Sequence, residues 1–256
     1  MEDEIKDPLM MSHFRNLHGG KRAFIIGNGP SLAEGQLEKL IGQHTFAMNN
    51  ISDYWTETFP DTVWRPQYYY NSTMQAIRYR GWLDKANLAV DEAHIAFIRE
   101  NSPIKMARNV CKFLFIGPRC NDCEHPIPKF SLDPSEWVAN YRMSFWGVCQ
   151  IAAFMGFREL ILVGFDLGFQ PWTEEQKKTE EDPNHFSKQY AGDFQWSKYL
   201  ARRENFYHYH AHIELTHVFQ QLGIKVINAT IGGELEVYKR VDLDEVLGTP
   251  EFGRLI

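Results

Sequence analysis

Short apolar runs alternate along the chain with longer stretches in which apolar residues recur at helical spacing. Runs at 23–26, 44–48, 66–70, 110–116, 159–166 and 225–230 have the length and glycine or asparagine boundaries of buried strands. Between and after them, 36–41, 76–100, 144–157 and 194–222 read as helices. The stretch at 144–157 is apolar nearly all round, which predicts a helix buried on every side. In the last helix, Ala211, Leu215, Val218, Phe219 and Leu222 form one apolar stripe. Strand and helix patterns in alternation predict an α/β fold with a Rossmann-like, mostly parallel sheet flanked by helices. The polar stretch at 167–195 is too long for an ordinary connection and reads as a lid-like insertion. Residues 1–20 read as a polar N-terminal extension, 21–232 as a single Rossmann-like domain, and 233–256 as a C-terminal tail.

Composition narrows the class without naming an activity. The chain has 256 residues, 44% hydrophobic and 23% charged, which suits one large globular α/β domain. A formal net charge of −6 argues against a general electrostatic grip on nucleic acid. No apolar run approaches the roughly 18 residues of a membrane span. The acidic start, Met-Glu-Asp-Glu-Ile-Lys-Asp, lacks the apolar core of a secretory signal, so the expected location is cytoplasmic. Aromatic residues make up 14%, enough to cover a subunit interface in a homo-oligomer. Four cysteines fit a reducing compartment; Cys120-Asn-Asp-Cys123 with His125 has half the spacing of a zinc site, and free thiols in a loop are the simpler reading.

The candidate chemistry lies at the strand ends. The first strand runs into Gly27-Asn-Gly-Pro-Ser31, a turn of the kind that lets phosphate approach the backbone, followed by a helix start with proline preset in φ and serine able to cap. It lacks the third glycine of the dinucleotide fingerprint, and a tight turn with no ligand is the alternative. Three runs finish on asparagine, at Asn28, Asn49 and Asn71. In a parallel sheet these ends face the ligand crevice, and an amide serves sugar hydroxyls and base edges, though asparagine also favours plain turns. The fifth run delivers Asp166 to the same edge, where a carboxylate binds ribose, holds a metal or caps the next element. His185 lies in the lid, where a base is wanted. His208 and His212 fall one turn apart, and packing with hydrogen bonds is preferred there to metal ligation.

Ile26-Gly-Asn-Gly-Pro-Ser-Leu32, Asn49, Asn71, Arg142-Met-Ser144 and Gly156-Phe-Arg-Glu-Leu-Ile-Leu-Val-Gly-Phe-Asp166 together resemble the bacterial sialyltransferases that modify surface glycans. The wider group includes motility-accessory flagellin glycosyltransferases and archaeal 6-hydroxymethylpterin diphosphokinase-like proteins. The likeness covers about residues 22–190. It implies a nucleotide-sugar donor, most closely a CMP-activated acidic sugar, a glycan acceptor, and no required cofactor. It implies a catalytic set of His185, Asn49 and Arg142, with a lid histidine as general base; the nearest match to the group's His-Ser-Lys is His185-Phe-Ser-Lys188, one residue longer. The implied donor-binding set is Gly27, Asn28, Gly29, Pro30, Ser31, Asn71, Ser144, Gly164, Asp166, Gln170 and Lys188, with no metal ligand.

The chain departs from this group after the aspartate. The sialyltransferases carry tyrosines there for the leaving phosphate, whereas this chain reads Leu167-Gly-Phe-Gln170, with Gly168 at the first tyrosine position. Gln170, Lys188 and Tyr190 are the candidate replacements. Two other readings follow. One is magnesium-dependent pyrophosphate transfer from ATP, with the metal on Asp166 and the run Glu180-Glu181-Asp182, although no P-loop motif is present. The other is a non-catalytic nucleotide- or glycan-binding module.

Overall fold

A computed structural model describes residues 9–73, 81–116, 130–139, 141, 143–179, 181–190 and 197–250, the stretch 197–204 in backbone only. Its centre is an eight-stranded parallel sheet: β1 (Arg22–Ile26), β2 (Thr45–Met48), β3 (Tyr68–Asn71), β4 (Ile95–Arg99), β5 (Val110–Phe113), β8 (Glu159–Val163), β9 (Lys225–Asn228) and β10 (Lys239–Arg240). Their spatial order is β10-β9-β8-β1-β2-β3-β4-β5, so the chain builds outward from β1 in one direction and then returns to build outward in the other. Two short strands, β6 (Phe115–Ile116) and β7 (Val138–Ala139), pair separately. The fold is therefore α/β and Rossmann-like, as the alternating pattern predicts.

Successive side chains of a strand point to opposite faces, and both faces are covered here. Ala23, Ile25, Phe46, Tyr68, Tyr70, Leu160 and Leu162 join one core, beneath helices α2 (Ser144–Phe154) and α4 (Ser197–Leu222). Phe24, Ile26, Ala47, Tyr69, Ile161 and Val163 join the other, beneath α1 (Trp82–Glu92) and the C-terminal α5 (Leu243–Gly248). A further helix, α3 (Glu174–Thr179), lies in the long connection after β8 and buries none of its residues.

Several local expectations change. The 36–41 pattern folds as a 3₁₀ turn, Leu37–Leu40. The 76–100 pattern divides into α1 and β4, because Ile95-Ala-Phe-Ile continues the apolar spacing of the helix while changing its period. The polar N-terminal extension instead sends Met11 and Phe14 into the core, and the tail adds β10 and α5 to the sheet's edge and face. No helix among the described residues is long and apolar enough to cross a membrane.

Candidate functional site

The strand order reverses between β1 and β8, and in open parallel sheets the crevice for a ligand forms at such a reversal, beyond the carboxyl ends of the strands. A cleft of about 680 Å³ lies there, within the size range of small-molecule sites. Gly27, Asn28, Gly29, Pro30, Asn49, Ser144, Gly164, Asp166, Gln170 and His185 all line it.

The turn after β1 is locked onto β8. The Gly27 and Gly29 N–H groups donate to Val163 O and Gly164 O. Ser31 donates twice to Asp166, from N to Oδ1 at 3.1 Å and from Oγ to Oδ2 at 2.8 Å. A side chain at Gly29 would begin 1.9 Å from Asp166 Oδ2, and one at Gly27 would begin 2.2 Å from Gly164 O, so only glycine permits this approach. The Gly27, Gly29 and Ser31 N–H groups, expected to cradle phosphate, are thus engaged within the protein. Pro30 has no N–H, the neighbouring N–H groups are engaged, and the element that follows is a 3₁₀ turn, Pro30–Glu34. Asp166 already occupies the place an anion would take, which makes it a capping carboxylate. Burial pushes its carboxyl upward, opposed by the Ser31 hydrogen bonds and the Arg240 guanidinium.

The asparagines divide. Asn28 Nδ2 donates to Met48 O at 3.1 Å, while its Oδ1 has no protein partner. Asn49 adopts a left-handed backbone, φ 55°, and its Oδ1 accepts from Ser144 Oγ at 3.0 Å, fastening the end of β2 to the start of α2. Asn71 is buried away from the cleft. Its Nδ2 donates to Tyr69 Oη and its Oδ1 accepts from Thr73 N, the local turn role open to this residue type. Ser72 and Thr73 line the cleft in its stead. Ser31 sits under the site, as Asp166's donor. Lys188 points outward, its side chain 72% exposed and paired with Glu181. Arg142 lies outside the described residues, as do Cys120, Cys123, His125 and Glu180; Cys111 and Cys149 are buried free thiols.

His185 is held on both faces of its chemistry. Its Nδ1 lies 2.7 Å from Oδ2 of the buried Asp182, and its ring stacks on Tyr190 with centroids 3.9 Å apart and planes 7° from parallel. A carboxylate accepting from Nδ1–H leaves Nε2 with the lone pair. The Asp182 Oδ1 accepts from Asn184 N, so each carboxylate oxygen carries a hydrogen bond. The segment 181–190 is docked rather than hanging over the cleft. Phe186 N donates to Asn28 O, Asn50 Nδ2 to Tyr190 O, and Ser187 Oγ to Glu57. Lys85 Nζ donates to both Asp53 and Gln189 O, and burial pushes the Asp53 carboxyl up to about 7 against the pull of Lys85.

His212 is packed, as its spacing suggested, between Phe145 and Phe165, with Nδ1 3.2 Å from Tyr238 Oη. It and His208 also line the cleft. Burial, with His208 adding to it, lowers His212 to about 3. A histidine neutral in the folded state and ordinary when unfolded contributes stability above about 6.5 that is lost as pH falls toward 3. Melting temperature should therefore fall across that window, and His212→Phe should flatten the slope by at most about 1.4 kcal/mol per pH unit. Identical slopes for the two proteins would contradict this.

Glu234 lines the site with no signal in the sequence, while Tyr190, His212 and Asp182, considered above for the leaving phosphate, for packing and for magnesium, join it as well. The signal for pairing Asp182 with His185 is an Asp-x-x-His spacing that puts carboxylate and imidazole within one turn. Among the described residues no group of three or more His, Cys, Asp or Glu is placed to hold a metal ion. No family model matches the chain, and none of the curated proteins matches it.

Proposed function

We propose that the protein transfers a sugar from a nucleotide-activated donor, a CMP-linked acidic sugar being the first candidate, to a hydroxyl of a glycan acceptor. The observation that carries this reading is the Asp182–His185 pair at the wall of a switch-point cleft floored by Asn28, Asn49 and Ser144. His185 Nε2 takes the acceptor O–H proton as that oxygen bonds to the anomeric carbon. The carbon–oxygen bond to the donor phosphate breaks with its electron pair, and the nucleotide leaves. Asp182 orients the ring and stabilises the imidazolium that forms. Amides and a hydroxyl supply neutral donors and acceptors for ribose, base and sugar.

Calorimetry with CMP, CDP, UDP, GDP and ATP plus magnesium, followed by a transfer assay with whichever binds, tests the reading. Binding of magnesium–ATP alone would replace it with pyrophosphate transfer, and donor binding without hydrolysis or transfer would leave a non-catalytic module. Asp182→Asn should keep donor affinity and cut turnover by roughly tenfold to a hundredfold, since the amide no longer fixes the tautomer. Unchanged turnover would show that the pair does not act as a unit.

A further inference from the structure

Beyond His185 the cleft changes character. Its wall there is aromatic: the half-buried Phe169 ring stands 6.1 Å from the His185 ring and 5.2 Å from that of His208, and Phe165 packs edge-on near His212. At the rim is the exposed carboxylate of Glu234, whose N–H donates to Asp166 O at 2.6 Å. Gly168, at φ +73°, makes room for it: a side chain there would begin 2.6 Å from Glu234 Cδ. Gly168 therefore gives its space to an anion. Among the described lining residues the formally charged ones are Glu234 and Asp166, and Asp166 is engaged by Ser31.

We propose that this half of the cleft binds a neutral pyranose, its C–H face on Phe169 and its hydroxyls within reach of Glu234, and that Glu234 excludes sugars bearing a carboxylate. Aromatic rings offer an apolar face to the C–H side of a sugar, and a carboxylate accepts two hydroxyl hydrogen bonds while repelling a second anion. Its role as the acceptor subsite rests on the transfer reading and on the nearness of His185; the binding itself does not.

Methyl β-glucopyranoside and its uronate, which differ by one carboxylate, are the probes. Saturation-transfer NMR and titration should show the neutral glycoside binding about tenfold more tightly than the uronate. Glu234→Gln should bring that ratio near one, and 0.5 M sodium chloride should shrink it in the wild type by screening. Phe169→Ala should weaken the neutral glycoside more than tenfold, with Phe169→Tyr, which keeps the aromatic face, retaining it; circular dichroism establishes that each variant folds. Equal binding of the two probes, a ratio unmoved by Glu234→Gln, or no saturation transfer to either probe would overturn the inference. Sugar binding with the expected ratio but no transfer from any nucleotide donor would leave it standing and sink the transferase reading. Transfer without discrimination would do the reverse.

Discussion

Replacing His185 with alanine is expected to slow transfer by about 10²–10⁴-fold, the usual worth of a positioned general base. Donor affinity should stay within a few-fold, because on the transfer reading the donor meets Asn28, Asn49 and Ser144, whose side-chain bonds run to Met48 O and to one another. The loop should stay docked as well, since Phe186 N, Asn50 Nδ2 and Lys85 Nζ hold it through groups other than the imidazole. Single-turnover rates and donor titration separate the two effects. Asn28→Ala is the matched control: it removes the amide at the turn and should weaken donor binding before it slows chemistry. Nearly full turnover in His185→Ala with saturating acceptor would remove the base assignment.

Arg22→Ala should have the largest effect on stability. Arg22 is 5% exposed and its Nε donates to Glu159, 2% exposed, at 2.5 Å across the β1–β8 register. Its remaining donors reach Val246 O and Thr249, tying the end of α5 to the sheet. Truncation leaves a buried carboxylate with the half-exposed Lys225 as its remaining ion-pair partner at 2.9 Å, together with stranded carbonyls. Breaking a buried pair by removing one partner costs about 3–5 kcal/mol, or roughly 10 °C of melting temperature in a chain of this size. Arg22→Met with Glu159→Leu should recover most of the loss, since apolar replacement of both partners is often neutral. A fall below 2 °C in the single variant would mean that Lys225 suffices. Donor affinity of the folded fraction should not change, because the pair lies at the opposite ends of the strands from the cleft.

The sheet was legible in the sequence because burial on both faces forces continuous apolar runs, as in Arg22–Ile26 and Glu159–Val163. β4 was not, because a strand that follows a helix after two residues shares its apolar spacing. The two-residue β10 is too short to carry a period at all. At the site, Asn28, Asn49 and His185 could be anticipated because strand ends and a long polar connection fix where they fall, whereas Ser144, at a helix start, was implied by the resemblance alone. Asn71 differs from Asn49 only through its partners, Tyr69 Oη and Thr73 N, and nothing in residue type announces them. Asp166 was legible as a site residue but its choice among ligand, metal and capping roles was not, since its engagement by Ser31 depends on two turns meeting 135 residues apart. Glu234 and His212 join the cleft through tertiary approach alone.

The pairing of β1 with β8 also governs how the chain is made. Arg22 and Glu159 are 137 residues apart, whereas β2 follows β1 almost at once. On the ribosome, at about 5–20 residues per second, one edge of β1 waits on the order of ten seconds for its partner. During that interval an apolar strand presents unpaired backbone donors and acceptors, the situation in which edge-to-edge association between nascent chains begins. A chain ending before residue 159 should therefore precipitate, and slow synthesis across 26–159 should lower the yield of native protein by lengthening the exposure.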